Sequence, residues 1–285
     1  MKILSWNIKW GCGCDGIVSL PRIAGVIRGV GDCDVICLQE VAINHPGLRG
    51  SQGEDQVALL QDAFPGYSAH YGIASDLPSE TTSRRQFGNL VLSRLPVMQV
   101  FRHSLPFPAE HGALGMPRIA LEVVVAAGEM QLRVTTAHLE YYSRVQRKAQ
   151  VRQLRAIHME ALSQAANKSD TRDLDPPFQG PFRPVSSIYC GDFNCEPGAA
   201  ELAYLTESAG NDASRLIDAW SIANPDTPNA FTVGLNVCSW PDRAYCCDYF
   251  FVSPDLRGCV RQVTVNQDTD ASDHQPILLE LAVAN

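Results

Sequence analysis

The sequence has no long hydrophobic run and few charged residues. No apolar stretch reaches the about 18 residues of a membrane-spanning helix, so we expect no membrane span. Charged residues make up only 19% of the 285 residues, and 23 Lys and Arg against 31 Asp and Glu give a net charge of −8. A protein that follows long duplex DNA needs surplus Lys and Arg to neutralise phosphates. We therefore expect no binding to long duplex DNA.

The sequence also has no internal repeat and no linker that would divide it into domains. The 21 Gly and 18 Pro occur without a period, which excludes collagen-like and low-complexity proteins. Hydrophobic residues make up 45% of the chain, enough to bury a large core, so disorder is excluded as its main state. We expect a single domain over residues 1–285, interrupted by one long, polar, Pro-rich loop at 167–184.

Ten cysteines are present, but not in the spacings of a zinc site. Zinc sites use paired C-x-x-C or Cys/His spacings, whereas the closest cysteines here are Cys12-Gly-Cys14 and Cys246-Cys247. The N-terminal residues MKILSWNIKW show no basic segment followed by a long apolar run, so we expect no signal peptide. This combination predicts a cytoplasmic protein with reduced thiols, in which most cysteines act as small buried hydrophobic residues.

Short runs rich in β-branched and aromatic residues predict the strands. They are Lys2–Asn7, Val35–Glu40, Gly88–Ser93, Ile119–Val125, Leu132–His138, Ser187–Asp192, Tyr245–Val252, Arg261–Val265 and Pro276–Val283. Helical spacing of apolar residues predicts four helices, Leu20–Val30, Asp55–Phe64, Ser143–Ala166 and Ala199–Ser208. Strands and helices do not alternate strictly, and several strands are apolar on both faces. The pattern therefore predicts an α/β (α+β) fold with two mixed, mainly antiparallel sheets packed together and flanked by helices.

Polar side chains stand where apolar strands end or begin. They are Asn7, Glu40, His138, Asp192 with Asn194, Asp248, and Asp273 with His274. The polarity of loops would explain any one of them, but their repeated occurrence favours a site, because polar groups at the ends of buried strands are typical of catalysis on a rigid scaffold.

Several of these residues offer oxygen ligands for a hard cation. Glu40, Asp273 and Asn7 form a set suited to Mg²⁺, with Mn²⁺ as a substitute. Asp192 can orient a water molecule and remove its proton. A metal beside a carboxylate base is typical of phosphate-ester hydrolysis, in which the metal neutralises the phosphate and the protein positions an in-line water.

The two histidines complete this chemistry. His138 and His274 can donate to a phosphate, one of them near the leaving oxygen. Asp248 can hold an imidazole in its useful tautomer and favour its protonated form. The set therefore predicts a metal-dependent phosphohydrolase.

Taken in order along the chain, these motifs resemble the endonuclease/exonuclease/phosphatase superfamily, which includes exonuclease III-like, DNase I-like and inositol polyphosphate 5-phosphatase-like branches. The motifs are Trp6-Asn7-Ile8, Leu38-Gln39-Glu40, Gly88-Asn89, Ala137-His138-Leu139, Gly191-Asp192-Phe193-Asn194, Cys247-Asp248-Tyr249 and Ser272-Asp273-His274. The resemblance extends from Asn7 to His274. It implies a four-layered α/β sandwich, in which two β-sheets lie between helices.

The resemblance also implies roles for the metal and water ligands. Glu40 is expected as the principal metal ligand, with Asn7 and Asp273 nearby. Asp192 is expected to align and activate the water, and Asn194 to contact the phosphate or the nucleophile.

Further roles concern the phosphate and the leaving group. The resemblance implies that His274 binds the phosphoryl oxygens and is oriented by Asp248, while His138 lies near the leaving group. Asn89 corresponds to a supporting, substrate-binding position beside the site. The substrate-binding candidates also include the tyrosines that follow the first histidine, Tyr141 and Tyr142; a packed aromatic pair at a helix start is the alternative.

The residues and the resemblance together favour a Mg²⁺-dependent hydrolase of phosphate esters, and the activities of the resembled family favour a phosphodiesterase over a monoesterase. The expected substrate is a small phosphate ester or a nucleic-acid end, and no obligate protein partner is evident. One alternative is a DNA endonuclease, exonuclease or repair nuclease. Another is an inactive binding scaffold of the same fold, but such scaffolds usually lose the metal Glu or the Asp-x-Asn pair, and Glu40, Asp192 and Asn194 are all present.

Overall fold

Two six-stranded sheets lie face to face in the structure, which is a computed structural model of the chain. It describes residues 1–79, 83–167, 175, 178–179, 183–207, 214–238 and 240–283. Most of the Pro-rich loop predicted at 167–184 lies outside the described residues.

The first sheet is built around a parallel pair of strands. Its members are β1 (Lys2–Asn7), β2 (Val35–Ile43), β3 (Ser68–Pro78), β4 (Arg84–Ser93), β11 (Val260–Val265) and β12 (Ile277–Leu281). They are ordered β11-β12-β1-β2-β4-β3, with β1 and β2 parallel and the other neighbours antiparallel.

The second sheet repeats this plan. Its members are β5 (Val97–Leu105), β6 (Arg118–Ala127), β7 (Met130–His138), β8 (Ser187–Asp192), β9 (Ile217–Asp218) and β10 (Asp248–Val252). They are ordered β5-β6-β7-β8-β10-β9, and the parallel pair is β7 and β8. In these parallel pairs β1, β7 and β8 end in polar residues, at Asn7, His138 and Asp192, and β2 carries Glu40 within the strand.

Helices cover the outer faces of both sheets. They are α1 (Leu20–Val30), α2 (Gln56–Ala63), α3 (Arg144–Ala166) and α4 (Ala200–Thr206), whereas α5 (Ala219–Ala223) packs against β10 and β11, one strand of each sheet. Ser19, Asp55 and Ser143 cap the three longest, their side-chain oxygens accepting hydrogen bonds from first-turn backbone N–H groups. One outer hydrophobic cluster joins α1 and α2 to the first sheet, and another joins α3 and α4 to the second. The four-layered arrangement predicted from the sequence is confirmed.

The inner faces of the sheets bury one another. Ile3 and Val35 of the first sheet share one hydrophobic cluster with Val123 and Phe250 of the second. Because these central strands have cover on both sides, they read in the sequence as apolar runs without alternation.

A buried hydrogen bond also links the two sheets. The amide of Gln39 on β2 donates to the hydroxyl of Thr136 on β7 at 2.8 Å, and both side chains are fully buried.

The strands missed by the sequence are all at sheet edges. β3, β5 and β9 each occupy an outer position, and β3 and β5 are mostly half-buried or exposed. Edge strands need fewer apolar residues, so their pattern is weaker. The start predicted at Tyr245 is also wrong: Tyr245 makes only an isolated bridge with Val233, and β10 begins at Asp248.

The cysteines follow the expectation with one exception. Cys33, Cys37 and Cys190 are buried free thiols, as predicted. Cys14 and Cys238, however, form a disulfide across 224 residues of sequence. The default of reduced thiols therefore does not hold for this pair, because folding brings their Cα atoms to 4.8 Å.

None of the helices in the described part of the chain combines the length and the apolar character that crossing a membrane requires.

Gly191 allows β8 to lie close beside β7. Residues that carry a side chain rarely adopt its φ of +130°. A Cβ added here would also lie 1.9 Å from the carbonyl oxygen of Ala137. The glycine of the Gly-Asp-Phe-Asn motif is therefore required by the backbone that carries Asp192.

We expect Gly191→Ala to destabilise the protein by at least about 2 kcal/mol, through backbone strain and overpacking. Gly25→Ala in α1 is the matched control, since nothing lies within 4 Å of the added Cβ, and it should stabilise by about 0.5–1 kcal/mol. Urea unfolding midpoints measure both effects. A Gly191→Ala midpoint equal to that of wild type would contradict this account of the β7–β8 contact.

Candidate active site

The candidate site lies where the central strands of both sheets end. On the second sheet, Asp192 is in register with His138 on one side and with Asp248 on the other. On the first sheet, β1 ends at Asn7 beside β2, which carries Glu40. The topology thus gathers residues from distant parts of the sequence at one edge of the sandwich.

Asp192 is a buried carboxylate surrounded by donors. Its Oδ1 accepts the backbone N–H of Asn194 at 2.9 Å, and its Oδ2 accepts the Asn7 amide at 3.1 Å. The Nε2 atoms of His138 and His274 lie 3.4 and 3.5 Å from the same Oδ2. Burial raises the pKa of Asp192, and the neighbouring His274 opposes that rise. A carboxylate whose pKa is raised toward neutrality is suited to act as a general base.

Glu40 is turned into the cleft by an irregularity in β2. The pairing of β2 with β4 shifts register between Leu38 and Val41, and Glu40 has a φ of +58°. Such a backbone costs about 1–3 kcal/mol and is concentrated at functional sites. The Asn7 amide donates to Glu40 Oε1 at 3.0 Å, so one amide links Glu40 to Asp192. Burial raises the pKa of Glu40.

His274 and Asp248 form a buried imidazole–carboxylate pair, with His274 Nδ1 at 2.9 Å from Asp248 Oδ2. Burial alone would lower the pKa of His274, but the carboxylates of Asp248 and Asp192 raise it to about 10. His138 differs, because burial, with Arg118 and His274 nearby, lowers its pKa well below the ordinary value. The site therefore holds one imidazolium and one neutral imidazole near Asp192.

Asp273 lies close to the end of β1. The hydroxyl of Ser272 donates to the Asn7 carbonyl at 2.8 Å, which fixes the neighbouring Asp273 to the end of β1. Asp273 is 7% exposed and lines the cleft together with Glu40. Its Oδ2 forms an ion pair with the ammonium of Lys9.

These carboxylates fit the hard cation that the sequence predicted. Glu40 and Asp273 present anionic oxygens to one cleft, and the pKa of Glu40 is raised further by Asp273. Two carboxylates that repel each other in this way favour a bound divalent cation. Asn7 is oriented with its Oδ1 accepting the Lys9 backbone N–H at 3.0 Å, which leaves that oxygen one further lone pair.

A second group of donor atoms is less suitable. One atom each of Asp192, Cys247 and His274 lie within 4.8 Å of one another. Burial raises the pKa of the Cys247 thiol well above its ordinary value, so the thiolate that binds metals is disfavoured. His274 is protonated beside Asp248 and offers no lone pair.

The cleft over these residues has a volume of about 470 Å³ and is lined by aromatic and cationic residues that the sequence interpretation missed. They are Lys9, Trp10, Arg118 and Trp240. Lys9 and Trp10 directly follow the Trp6-Asn7-Ile8 motif, which was the one available signal. Arg118 and Trp240 stand in segments without a motif.

Tyr141 and Tyr142 both line the cleft. Their rings pack edge to face at 5.0 Å, yet they are 40% and 63% exposed. The Trp240 indole lies 5.3 Å from the Tyr141 ring and 6.2 Å from the His274 ring, and its N–H donates to the Tyr141 hydroxyl at 3.3 Å. Beyond this Tyr141–Trp240 bridge lies a second cavity of about 610 Å³.

Two predicted residues, Asn194 and Asn89, donate their side-chain amides to backbone carbonyls. The Asn194 amide donates to the Leu139 carbonyl at 2.8 Å, and its φ is +50°. Asn89 is buried, and its amide donates to the Ile119 carbonyl of the opposite sheet at 3.0 Å. The structure brings the other predicted residues together around the cleft, whereas Asn89 lines a small cavity behind Glu40 and His138.

The sequence profile of the Endonuclease/Exonuclease/phosphatase family matches residues 4–274. The chain belongs to this family. Comparison with curated proteins found no match.

Solved structures share the fold at low sequence identity. An endonuclease/exonuclease/phosphatase from Bacteroides vulgatus has a TM-score of 0.70 at 16% identity, over 99% of this chain and 98% of its own. A Bacteroides thetaiotaomicron mannosyl-6-phosphatase has a TM-score of 0.65 at 17% identity, covering 99% and 100%. Truncated Caenorhabditis elegans TDP2 has a TM-score of 0.64 at 19% identity, covering 99% and 97%.

In protein freed of metal by a chelator, we expect His274 to remain protonated at pH 8 and His138 to be neutral. Because the folded pKa of His274 lies above its unfolded value, this coupling stabilises the protein fully below about pH 6.5 and is lost as the pH rises through the raised pKa. Long-range ¹H–¹⁵N spectra report both imidazoles.

Asp248→Asn should lower the pKa of His274 toward about 6.5, whereas Asp62→Asn, on the exposed face of α2, should leave it unchanged. An unaltered His274 titration in Asp248→Asn would contradict the assigned pairing.

Proposed function

We propose that the protein is a divalent-metal-dependent hydrolase of phosphate esters, with a phosphodiester as the favoured substrate and Mg²⁺ as the metal. One observation carries the proposal: a buried carboxylate with a raised pKa shares a cleft with two further carboxylates, one protonated imidazole and one neutral imidazole. Asp192 is that carboxylate, and Glu40 and Asp273 are the other two. The name of the mannosyl-6-phosphatase relative is consistent with phosphate-ester chemistry.

In this mechanism Asp192 positions a water molecule and accepts its proton at Oδ2. The donors around it hold the carboxylate in one orientation, so the base is aligned before the substrate arrives. The proposed metal, held by Glu40 and Asp273 with Asn7 beside them, would supply positive charge to the phosphoryl oxygens.

The two imidazoles then have separate tasks. His274, kept as an imidazolium by Asp248, donates a hydrogen bond to a phosphoryl oxygen, where negative charge develops. His138 is neutral and lies between Glu40 and Asp192, with its Nδ1 3.9 Å from Glu40 Oε1. In this mechanism it forms a hydrogen bond with the leaving oxygen.

The second cavity supports an ester with a sizeable group on each side of the phosphorus. It shares Tyr141, Tyr142, Asn194 and Trp240 with the catalytic cleft, so a bound substrate can extend from one to the other. A diester needs room for two groups beyond the phosphate, and this arrangement provides it.

Hydrolysis of bis-p-nitrophenyl phosphate tests the proposal, and Asp192→Asn tests the role of the base. Wild type should release nitrophenol with Mg²⁺ and stop with a chelator. Asp192→Asn should lose at least about 10²-fold in kcat, because the amide keeps the shape without the basicity. Asp62→Asn is the matched control and should behave as wild type.

Nitrophenol release that survives chelation would contradict metal dependence. A near-normal kcat for Asp192→Asn would show that another group activates the water. If no release occurs, a panel of phosphate monoesters, diesters and oligonucleotide ends extends the test, and failure on the whole panel would contradict the proposed activity.

Glu40→Gln should weaken Mg²⁺ binding at least about tenfold, since an anionic ligand becomes neutral. Turnover should fall and recover in part at higher Mg²⁺ or with Mn²⁺. Calorimetric titration of the folded variant gives the affinity, with Glu54→Gln, outside the cleft lining, as the control. An affinity equal to that of wild type would remove Glu40 from the metal site.

A further inference from the structure

The disulfide between Cys14 and Cys238 joins two segments that both contribute to the catalytic cleft. Cys14 closely follows Trp10 in sequence, and Cys238 shortly precedes Trp240. Both tryptophans line the cleft. The disulfide therefore lies beside the substrate site on both of its sides, although it joins residues 224 apart.

Cys14 lies in a part of the chain that other contacts also hold. Its N–H donates to the Asp270 carbonyl at 2.9 Å. The neighbouring Cys12 forms an antiparallel bridge with Val18, shortly before α1 begins. This side of the disulfide is therefore fixed independently of the S–S bond.

Cys238 stands in a loop whose two ends are held by backbone pairing. The Val233 N–H donates to the Tyr245 carbonyl at 3.1 Å, and the Tyr245 N–H donates to the Val233 carbonyl at 3.2 Å. Between these ends, the Asn236 side-chain amide donates to the Thr269 carbonyl at 2.7 Å. The disulfide adds a covalent link from this loop to the fixed segment that carries its other cysteine.

Trp240 reaches the cleft from the same loop through non-covalent contacts. Its indole N–H donates to the Tyr141 hydroxyl at 3.3 Å, and its ring lies 6.2 Å from the ring of His274. Further along the loop, Arg243 pairs with Glu196 at the surface, where ion pairs add little stability. Contacts of this kind hold a side chain less firmly than a covalent bond does.

The disulfide is accessible from solvent. Cys14 and Cys238 are half-buried, and the Val237 side chain beside Cys238 is fully exposed. By contrast, seven of the eight remaining cysteines are buried. Attack on a disulfide requires that a thiolate reach one of its sulfurs, so a small dithiol can reduce this bond in the folded protein.

We propose that the disulfide is a redox-controlled tether, which positions Trp240 against the cleft when oxidised and releases it when reduced by a dithiol. Trp240 lines both the catalytic cleft and the second cavity, so it is part of the wall that a bound ester would contact in each. Its release weakens substrate binding. The inference rests on the proposed function, because it concerns regulation of that same site.

The reduction is a two-electron thiol–disulfide exchange. One thiolate of the dithiol attacks a sulfur of the Cys14–Cys238 bond, which breaks that bond and forms a mixed disulfide. The second thiolate of the reductant then displaces the remaining cysteine. The reductant ends as a cyclic disulfide, and its two protons leave Cys14 and Cys238 as thiols.

Thiol labelling and amide hydrogen exchange test the tether without reference to activity. In untreated protein, iodoacetamide added after unfolding should label eight of the ten cysteines. Treatment of the folded protein with dithiothreitol should raise this number to ten by freeing Cys14 and Cys238. Peptides that contain Trp240 should then exchange at least about tenfold faster, whereas peptides from β8 stay protected, because the opening is local.

Hydrolysis of bis-p-nitrophenyl phosphate tests the effect on the site. Reduction should raise KM at least about fivefold, the order expected from one lost aromatic contact. The kcat should change less than about twofold, because the bonds that hold Asp192 and His274 lie outside the loop. Cys14→Ser should show the raised KM without reductant and no response to dithiothreitol, which also controls for metal binding by the reductant. Cys238→Ser replaces it if Cys14→Ser does not fold.

Cys259→Ser is the matched control. Cys259 is a half-buried free thiol directly before β11, and its variant should respond to reduction as wild type does. Trp240→Ala should raise KM in the oxidised protein, and reduction should then add little, because both changes remove the same contact.

Ten labelled cysteines in the untreated protein would overturn the inference, as would unchanged exchange around Trp240 after complete reduction. An unchanged KM on reduction, or a rise that is equally large in Trp240→Ala, would also overturn it. If the labelling and exchange results hold but no phosphate ester is hydrolysed, the proposed function alone is contradicted.

Discussion

Asp192 carries a charge that the protein buries almost completely, at 1% exposure, and the site is organised around compensating it. A buried carboxylate is costly unless donors replace the lost water. The surrounding groups come from both sheets: Asn7 and His274 from the end of β1 and the loop before β12 of the first, and His138 and the Asn194 backbone from the end of β7 and the loop after β8 of the second. The hydrogen bonds that make the charge tolerable also fix the orientation of the carboxylate.

Residues beside the cleft adopt backbone conformations that cost stability. Glu40, Lys9 and Asn194 all adopt positive φ without being glycine, and all three adjoin the cleft. Strain of this kind costs about 1–3 kcal/mol per residue and requires a rigid surrounding. The hydrophobic cluster between the sheets provides that rigidity, because the strained residues follow or interrupt strands that are buried on both faces.

Features that depend on neighbouring residues could be predicted from the sequence, whereas contacts between residues far apart in sequence could not. Lys2–Asn7 and Ser187–Asp192 were predicted with their observed bounds, since buried central strands are continuous apolar runs that end in polar residues. Edge strands such as β3 lack that signal. Asp273 and Glu40 were recognisable from motifs, but the ion pair of Lys9 with Asp273 joins residues 264 apart in sequence, and only the fold reveals it.

The location of the metal is the central claim, and a crystal structure of the protein soaked with Mn²⁺ tests it most directly. Anomalous scattering should place the ion on carboxylate oxygens of Glu40 and Asp273, at about the 2.0–2.2 Å typical of small hard cations. An ion bound instead by Asp192, Cys247 and His274 would contradict the account, because the residues assigned here as base and imidazolium would then be metal ligands.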